Sequence, residues 1–294
     1  MKVLVTGTQG QLVQALLERG AGVAGVELHA VGKPALDLAQ PDTVARAIAA
    51  AQPDVVVNAA AYTAVDQAED EPELAMRVNG DGAGAVAAAA AKAGARVIQV
   101  STDYVFNGAA ELPYDEGAAV SPLGVYGRSK LAGEEAVRAA GGEHAIVRVA
   151  WVYSPFGRNF VKTMLALARN RDALSVVADQ FGNPSSALDL ADGLLALIRK
   201  WQEAPGAGLG QTYHLAGSGE TSWHGLAQQA LAHSAAVGGP SAQVHPIRTE
   251  DWPTKAVRPR NSRLNSDRFA GDFGYRMPLW QSSVAQVVER LLSS

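Results

Sequence analysis

From Met1 to Val149, short apolar runs alternate with segments of helical periodicity, and this alternation limits the possible folds more than any other feature. Runs at Val3–Val5, Gly25–Val31, Val55–Asn58, Val97–Val100 and Ala145–Val149 read as strands. Between them lie a helix to about Arg19, one near Pro41–Ala51, a long Ala-rich stretch and a segment carrying Tyr126. Strands separated by helices of this length imply βαβ units, so the expected class is α/β with a Rossmann-type doubly wound parallel sheet. Ligands of such sheets bind beyond the carboxyl ends of the strands. Gly7, Ala60, Ser101–Asp103 and Trp151 follow directly after apolar runs and should therefore converge on one cleft.

The first strand runs into Gly7-Thr8-Gln9-Gly10-Gln11-Leu12-Val13 and then into an amphipathic segment. Glycines at these places let the backbone turn tightly and approach a pyrophosphate, which rests on the free N–H groups of the following helix. Val13 stands where a third glycine is usual, a position that serves helix–strand packing. At the end of the second strand, Ala30-Val31-Gly32-Lys33 offers no carboxylate for a ribose 2′-hydroxyl and places a cation nearby. That ending tolerates a 2′-phosphate, so NADPH and NADH both remain open.

Ser101-Thr102-Asp103-Tyr104-Val105-Phe106 closes the Val97 strand, and Tyr126-Gly127-Arg128-Ser129-Lys130 opens the next helix. Residues four apart on a helix share a face, with Cβ atoms about 5–6 Å apart. A phenol beside an ammonium makes a general acid/base, although the spacing alone occurs by chance in many helices. Free Tyr titrates near 10, and bringing that down to roughly 7 requires about 4 kcal/mol of phenolate stabilisation. A unit charge at about 4 Å supplies about 1 kcal/mol in water but about 4 kcal/mol at an effective dielectric near 20. Lys130 is thus expected to activate Tyr126 only in a partly closed site.

These segments resemble the extended short-chain dehydrogenase/reductases, and within them the dTDP-4-dehydrorhamnose reductase family. The resemblance extends from Met1 to about Trp280. It includes Asn58-Ala59-Ala60-Ala61-Tyr62-Thr63-Ala64-Val65-Asp66, Trp151-Val152-Tyr153, Asp179-Gln180-Phe181-Gly182 and Arg258-Pro259-Arg260-Asn261-Ser262-Arg263-Leu264. It implies NAD(P)H-dependent reduction of the 4-keto group of dTDP-4-dehydro-β-L-rhamnose, with Thr102, Tyr126 and Lys130 catalytic. Cofactor contacts are implied for Gly7, Gly10, Gln11, Leu12, Asp37, Leu38, Ala61, Tyr62 and Thr63, besides Tyr126 and Lys130. Substrate contacts are implied for Thr102, Asp103, Trp151, Gln180, Arg258 and Arg260, because a guanidinium fork suits a diphosphate. Related dehydratases carry an acid directly after Thr-Asp. Tyr104 stands there instead, which argues against dehydration. Some relatives hold Mg²⁺ at a dimer contact through glutamates, but the aligned positions here are Ala15 and Leu188. No metal is expected, and the chain is read as a monomer or weak homodimer.

Composition narrows the alternatives. A net charge of −4 disfavours a nucleic-acid partner, and the absence of cysteine excludes disulfide and thiolate chemistry and is compatible with a reducing cytoplasm. No cleaved leader is expected, because Met1 opens directly into a strand. The run Ala83–Ala93 is too short for a membrane span and contains Lys92, so it reads as a helix buried on the sheet. No histidine spacing suggests a metal site. After Trp151 the strict alternation ends. A dinucleotide-binding unit is expected over 1–151 with returning segments at about 176–201 and 211–217, and a smaller substrate-binding unit over 152–175 and 221–294. Two other functions fit the same residues: reduction of another nucleotide-linked 4-keto sugar, or a non-catalytic dinucleotide-binding subunit of the methionine adenosyltransferase type.

Overall fold

The computed structural model describes residues 1–293; Ser294, last of the expected substrate-binding unit, lies outside them. Its main sheet contains β1 (Lys2–Thr6), β2 (Glu27–Val31), β3 (Val55–Asn58), β4 (Arg96–Thr102), β5 (His144–Val149) and a final strand, Gln211–His214. All pairings are parallel, and the spatial order is β2-β1-β3-β4-β5 followed by the final strand. The chain leaves β1 toward one edge and returns on the other side as β3. A crevice therefore opens between the carboxyl ends of β1 and β3, the switch point where such sheets bind ligands. β3 and β5 are buried on both faces, which explains their unbroken apolar runs. The second strand begins two residues later than the sequence predicts, because Gly25 adopts a φ of +74° in the turn before it.

Helices cover both faces. On one side, α1 (Gln11–Gly20) packs against the helix Ala187–Glu203, and Leu16, Leu194, Ile198 and Trp201 are buried with Val3 and Val5. On the other, α2 (Pro41–Ala51) meets a second helix, with Val44 and Ile48 buried against Val56. Each fully buried aliphatic of this size contributes about 1.5–3 kcal/mol. Two short helices, α3 (Val65–Ala68) and α4 (Pro72–Met76), precede a π-turn at Arg77–Asp81. Then follows α5 (Gly82–Lys92), the Ala-rich helix that packs on α2, with Ala83, Ala87 and Ala90 buried. The π-turn and α5 both pack closely on α6 (Val125–Ala139), where a Cβ on Gly133 would lie 2.2 Å from the carbonyl oxygen of Asn79 and 3.2 Å from Cβ of Ala83.

Beyond β5 a second core forms around Tyr153, Val161, Leu226, Val284 and Val287. It is built from the helices Phe160–Ala168, Trp223–Ala236 and Trp280–Leu292, with the paired strands Ala173–Val177 and Gln243–Ile247 beside them. The strand Ala173–Val177 stays with this core, and the chain rejoins the first one at Ala187. Phe269, Phe273 and Met277 also pack in the first core, although the sequence places them with the smaller unit. No helix among the described residues is long and apolar enough to cross a membrane.

Candidate active site

A cavity of about 960 Å³ lies at the carboxyl ends of the strands and is lined by residues following β1, β3, β4 and β5. A smaller pocket of about 210 Å³ adjoins it and shares Gly7, Gly32, Lys33, Ala60 and Ala61. Gly7, Gly10, Gln11, Leu12, Ala61 and Thr63 line the larger space, whereas Asp37, Leu38 and Tyr62 line the smaller.

Gly7 has a φ of +93° and donates its N–H to Val31 at 2.7 Å, so the turn after β1 needs a residue without Cβ. A side chain at Gly32 would press on the Gly7 and Thr8 backbone at 3.2–3.3 Å. Helix α1 starts after Gly10 with no side-chain cap, so its first N–H groups face the cavity without an internal partner. Uncapped amides behind a glycine turn fit a pyrophosphate. Val13 is buried at 1% exposure and packs beside both glycines.

Buried polar residues tie the strand ends together. Thr6 donates its hydroxyl to Asn58 Oδ1 at 2.7 Å, and Asn58 Nδ2 donates to Gln99 Oε1 at 2.8 Å. Asn79, on the π-turn, accepts from the Tyr62 N–H at 2.8 Å and donates to the Tyr62 carbonyl and to Ser129. It thereby clamps the Ala61–Thr63 loop to α6. Sequence reasoning missed it because its backbone lies inside an otherwise helical pattern. A buried Asn whose amide meets main chain on both sides is the only signal it gives.

Tyr126 is the second residue of α6, and Lys130 lies one turn on. The helix N-terminus is capped from a distance, since Glu69 Oε1 accepts the Val125 N–H at 2.8 Å. The Tyr126 phenol reaches Thr102, and its ring meets Tyr104 edge-on with centroids 5.4 Å apart. Burial pushes the phenol well above its ordinary value, and the Thr102 hydrogen bond opposes this. Lys130 is buried and donates from Nζ to the Val100 carbonyl at 2.8 Å. Burial brings its ammonium down to about 8, while Glu134 one turn on pulls it up. Lys130 is not among the groups that act on the phenol in this arrangement: one of its donors serves the Val100 carbonyl, and burial dominates the phenol.

The residues expected at the substrate end divide into two groups. Thr102, Asp103 and Trp151 line the cavity. Thr102 donates to Asp103 Oδ1 at 3.1 Å, and burial lifts the Asp103 carboxyl to about 6. Trp151 has a φ of +47°, costly for a bulky residue. It is held by stacking on Trp223 at 3.6 Å and by Gly182, where any Cβ would lie 2.4 Å from the indole. Gln180, Arg258 and Arg260 do not reach the cavity lining. Gln180 is buried and donates to Thr249 at 3.1 Å. Arg258 lies behind Tyr104, donating to its hydroxyl at 3.1 Å and pairing with Asp66 at 2.5 Å. Arg260 is exposed. Arg263 is held by Glu220 and Asn261. Among the described residues no cluster of three or more His, Asp or Glu could hold a metal; Ala15 is fully buried, and Leu188 packs against the first core.

A doubly wound parallel sheet, a glycine turn at its switch point and a Thr-Tyr-Lys set on one wall define the class of extended short-chain dehydrogenase/reductases. Within it, the chain belongs to the RmlD substrate binding domain family, which matches residues 1–293. The dTDP-4-dehydrorhamnose reductase of Sinorhizobium fredii is 46% identical over 292 residues, covering 99% of this chain and 98% of that one. The Escherichia coli protein of the same name is 40% identical over 300 residues, with 100% and 99% covered. The solved dTDP-4-dehydrorhamnose reductase of Clostridium acetobutylicum superposes with a TM-score of 0.91 at 35% identity, covering 99% and 100%. The Bacillus anthracis enzyme, solved in complex with NADP, gives 0.90 at 33%, covering 98% and 99%.

Proposed function

We propose that the chain reduces the 4-keto group of dTDP-4-dehydro-β-L-rhamnose to dTDP-β-L-rhamnose with NADPH or NADH. The observation that carries this reading is the meeting of Thr102, Tyr126 and Lys130 on one wall of a cavity whose other end is a glycine turn and an uncapped helix. The relatives' shared name supports the substrate. The dinucleotide, when bound, supplies a hydride to the carbonyl carbon. Tyr126 gives its phenolic proton to the carbonyl oxygen, so that one hydride and one proton convert ketone to alcohol. Burial keeps the phenol protonated at neutral pH, the state a donor needs. The Thr102 hydroxyl holds the carbonyl oxygen beside that proton. Lys130 lines the same cavity from the same helix, one turn on, and its positive charge offsets the negative charge left on the phenolate. The reading also assigns residues 1–151, with the returning segments from Ala187 to about 201 and 211–217, to the dinucleotide-binding unit, and most of the second core to the sugar nucleotide.

Purified protein should oxidise NAD(P)H when the keto-sugar nucleotide is supplied and not with buffer alone. Tyr126→Phe should lower turnover by about 10²–10⁴-fold and leave dinucleotide affinity nearly unchanged. No oxidation with that substrate in the wild type would overturn the proposal.

A further inference from the structure

Three side chains lining the large cavity are cationic, Lys33, Lys130 and Arg158, against one carboxylate, Asp103. Two of the cations are committed. Lys130 donates to the Val100 carbonyl, and Lys33 pairs with Asp37 at 3.2 Å. Arg158 is exposed and has no hydrogen-bond or ion-pair partner among the described residues. It is carried over the start of α1 by Gly157, whose φ is +58°, and a Cβ at Gly157 would lie 3.4 Å from Cγ of Gln11.

The same segment fixes Gln11. Ser154 donates its hydroxyl to Gln11 Oε1 at 2.7 Å, and Asn159 Nδ2 donates to that oxygen at 3.1 Å. Asn159 also donates to the Ser154 carbonyl at 2.8 Å, which closes the loop on itself. With the oxygen engaged by two donors, the amide has one orientation, and its NH₂ remains to serve the cavity that Gln11 lines. The glycine turn supplies backbone N–H groups but no cation. A diphosphate bound there has two charges to neutralise, and the guanidinium of Arg158 is the group placed to do it.

We infer that the strap Ser154–Asn159 completes the diphosphate pocket of the dinucleotide, with Arg158 as its cation and Gln11 as a donor held in place from the second core. This rests on the reductase reading above. A sugar nucleotide carries the same diphosphate chemistry, but Arg158 shares its wall with Gly10 and Gln11, which favours the cofactor.

The test is titration of wild type and Arg158→Gln with NADPH, NADH and dTDP separately, following binding by fluorescence or calorimetry. Arg158 is exposed, so the variant keeps its fold. The expected result is binding about tenfold weaker for NADPH and NADH alike, dTDP affinity unchanged, and a difference that shrinks as salt is raised. Unchanged dinucleotide affinity overturns the inference. So does a loss confined to dTDP, which would place Arg158 on the sugar nucleotide, or one confined to NADPH, which would place it on the 2′-phosphate. A wild type that binds neither dinucleotide overturns the reductase reading and this inference with it, whereas equal binding by both proteins overturns the inference alone.

Discussion

Gly127 lies so close to Tyr104 that a Cβ added to it would sit 2.2 Å from the Tyr104 carbonyl oxygen. The contact is backbone against backbone, so neither side has a flexible end to move. It fixes α6 against the segment that follows β4, and hence Tyr126 against Thr102. Gly127→Ala should cost about 1–3 kcal/mol through overpacking, after the roughly 0.5–1 kcal/mol that alanine gains in a helix. Thermal unfolding should fall by several degrees and kcat more than tenfold. An alanine variant with unchanged melting and turnover would show that α6 slides freely.

Lys130 titrates near 8 because burial disfavours its charge. The protonated form is the one that supports Tyr126, and it is present below that value. Turnover should therefore hold through neutral pH and decline as pH rises through about 8. The charged group acting on Lys130 is Glu134, one turn on along its helix, which Arg148 of β5 binds at 2.8 Å. A pH profile of kcat that stays flat to about pH 10, where free Tyr titrates, would remove Lys130 from the proton chemistry.

Asp103 carries the opposite charge and a related burden. Its carboxyl is raised from 3.8 to about 6 by burial, so the folded state binds a proton more tightly than the unfolded chain. The stabilisation from that proton is complete below the unfolded value and is lost as pH rises through about 6. Asp103→Asn should therefore be more stable than wild type at about pH 7–8, by about 2–3 kcal/mol, since each tenfold change in proton affinity is worth about 1.4 kcal/mol. The gap should close near pH 4, and melting temperatures across that range report it. Lower stability of the variant at about pH 8 would mean that the hydrogen bonds from Ser262 and Thr102, which favour the carboxylate, outweigh its burial. Activity should fall all the same, because Asp103 lines the cavity.

Cofactor preference turns on Lys33, which is largely exposed and paired with Asp37. A solvated cation is worth about 0–1 kcal/mol, so NADPH should be favoured over NADH by less than about tenfold. Asp37→Asn frees Lys33 and should widen that preference. The ratio of specificity constants for the two cofactors reports it. A preference for NADH above a hundredfold would mean that a carboxylate, with Asp37 the nearest, reads the ribose.

The sheet, the glycine turn and the Thr102–Tyr126–Lys130 set were legible because each depends on residues close in sequence. Apolar runs such as Val55–Val57 are buried on both faces, and the i,i+4 spacing survives in any helix. Gln180 and Arg258 were not legible in the same way. Their positions depend on Thr249, Asp66 and Tyr104, partners 69 to 192 residues away, and type alone does not reveal whether an Arg meets a ligand or an internal acid. The direction of Lys130 was hidden too, because spacing places its Cα but not its Nζ. Trp151 reads as the residue after a strand, yet its left-handed backbone follows from the Trp223 stack, which no local pattern encodes.

Phe269, Phe273 and Met277 lie under the main sheet although more than a hundred residues separate them from β5. The sheet's final strand, Gln211–His214, likewise reaches its edge only after the chain has visited the second core. The layer of α2 and α5 draws only on residues up to 140, but no single cut of the polypeptide yields a piece containing the whole of the first core. A ribosome that has released residues 1–151 has made the glycine turn and the Tyr126 helix but not the residues that roof them. Acquisition of the native state must wait for the last helices to emerge, and a truncated message would yield chains exposing apolar surface, not a smaller working protein.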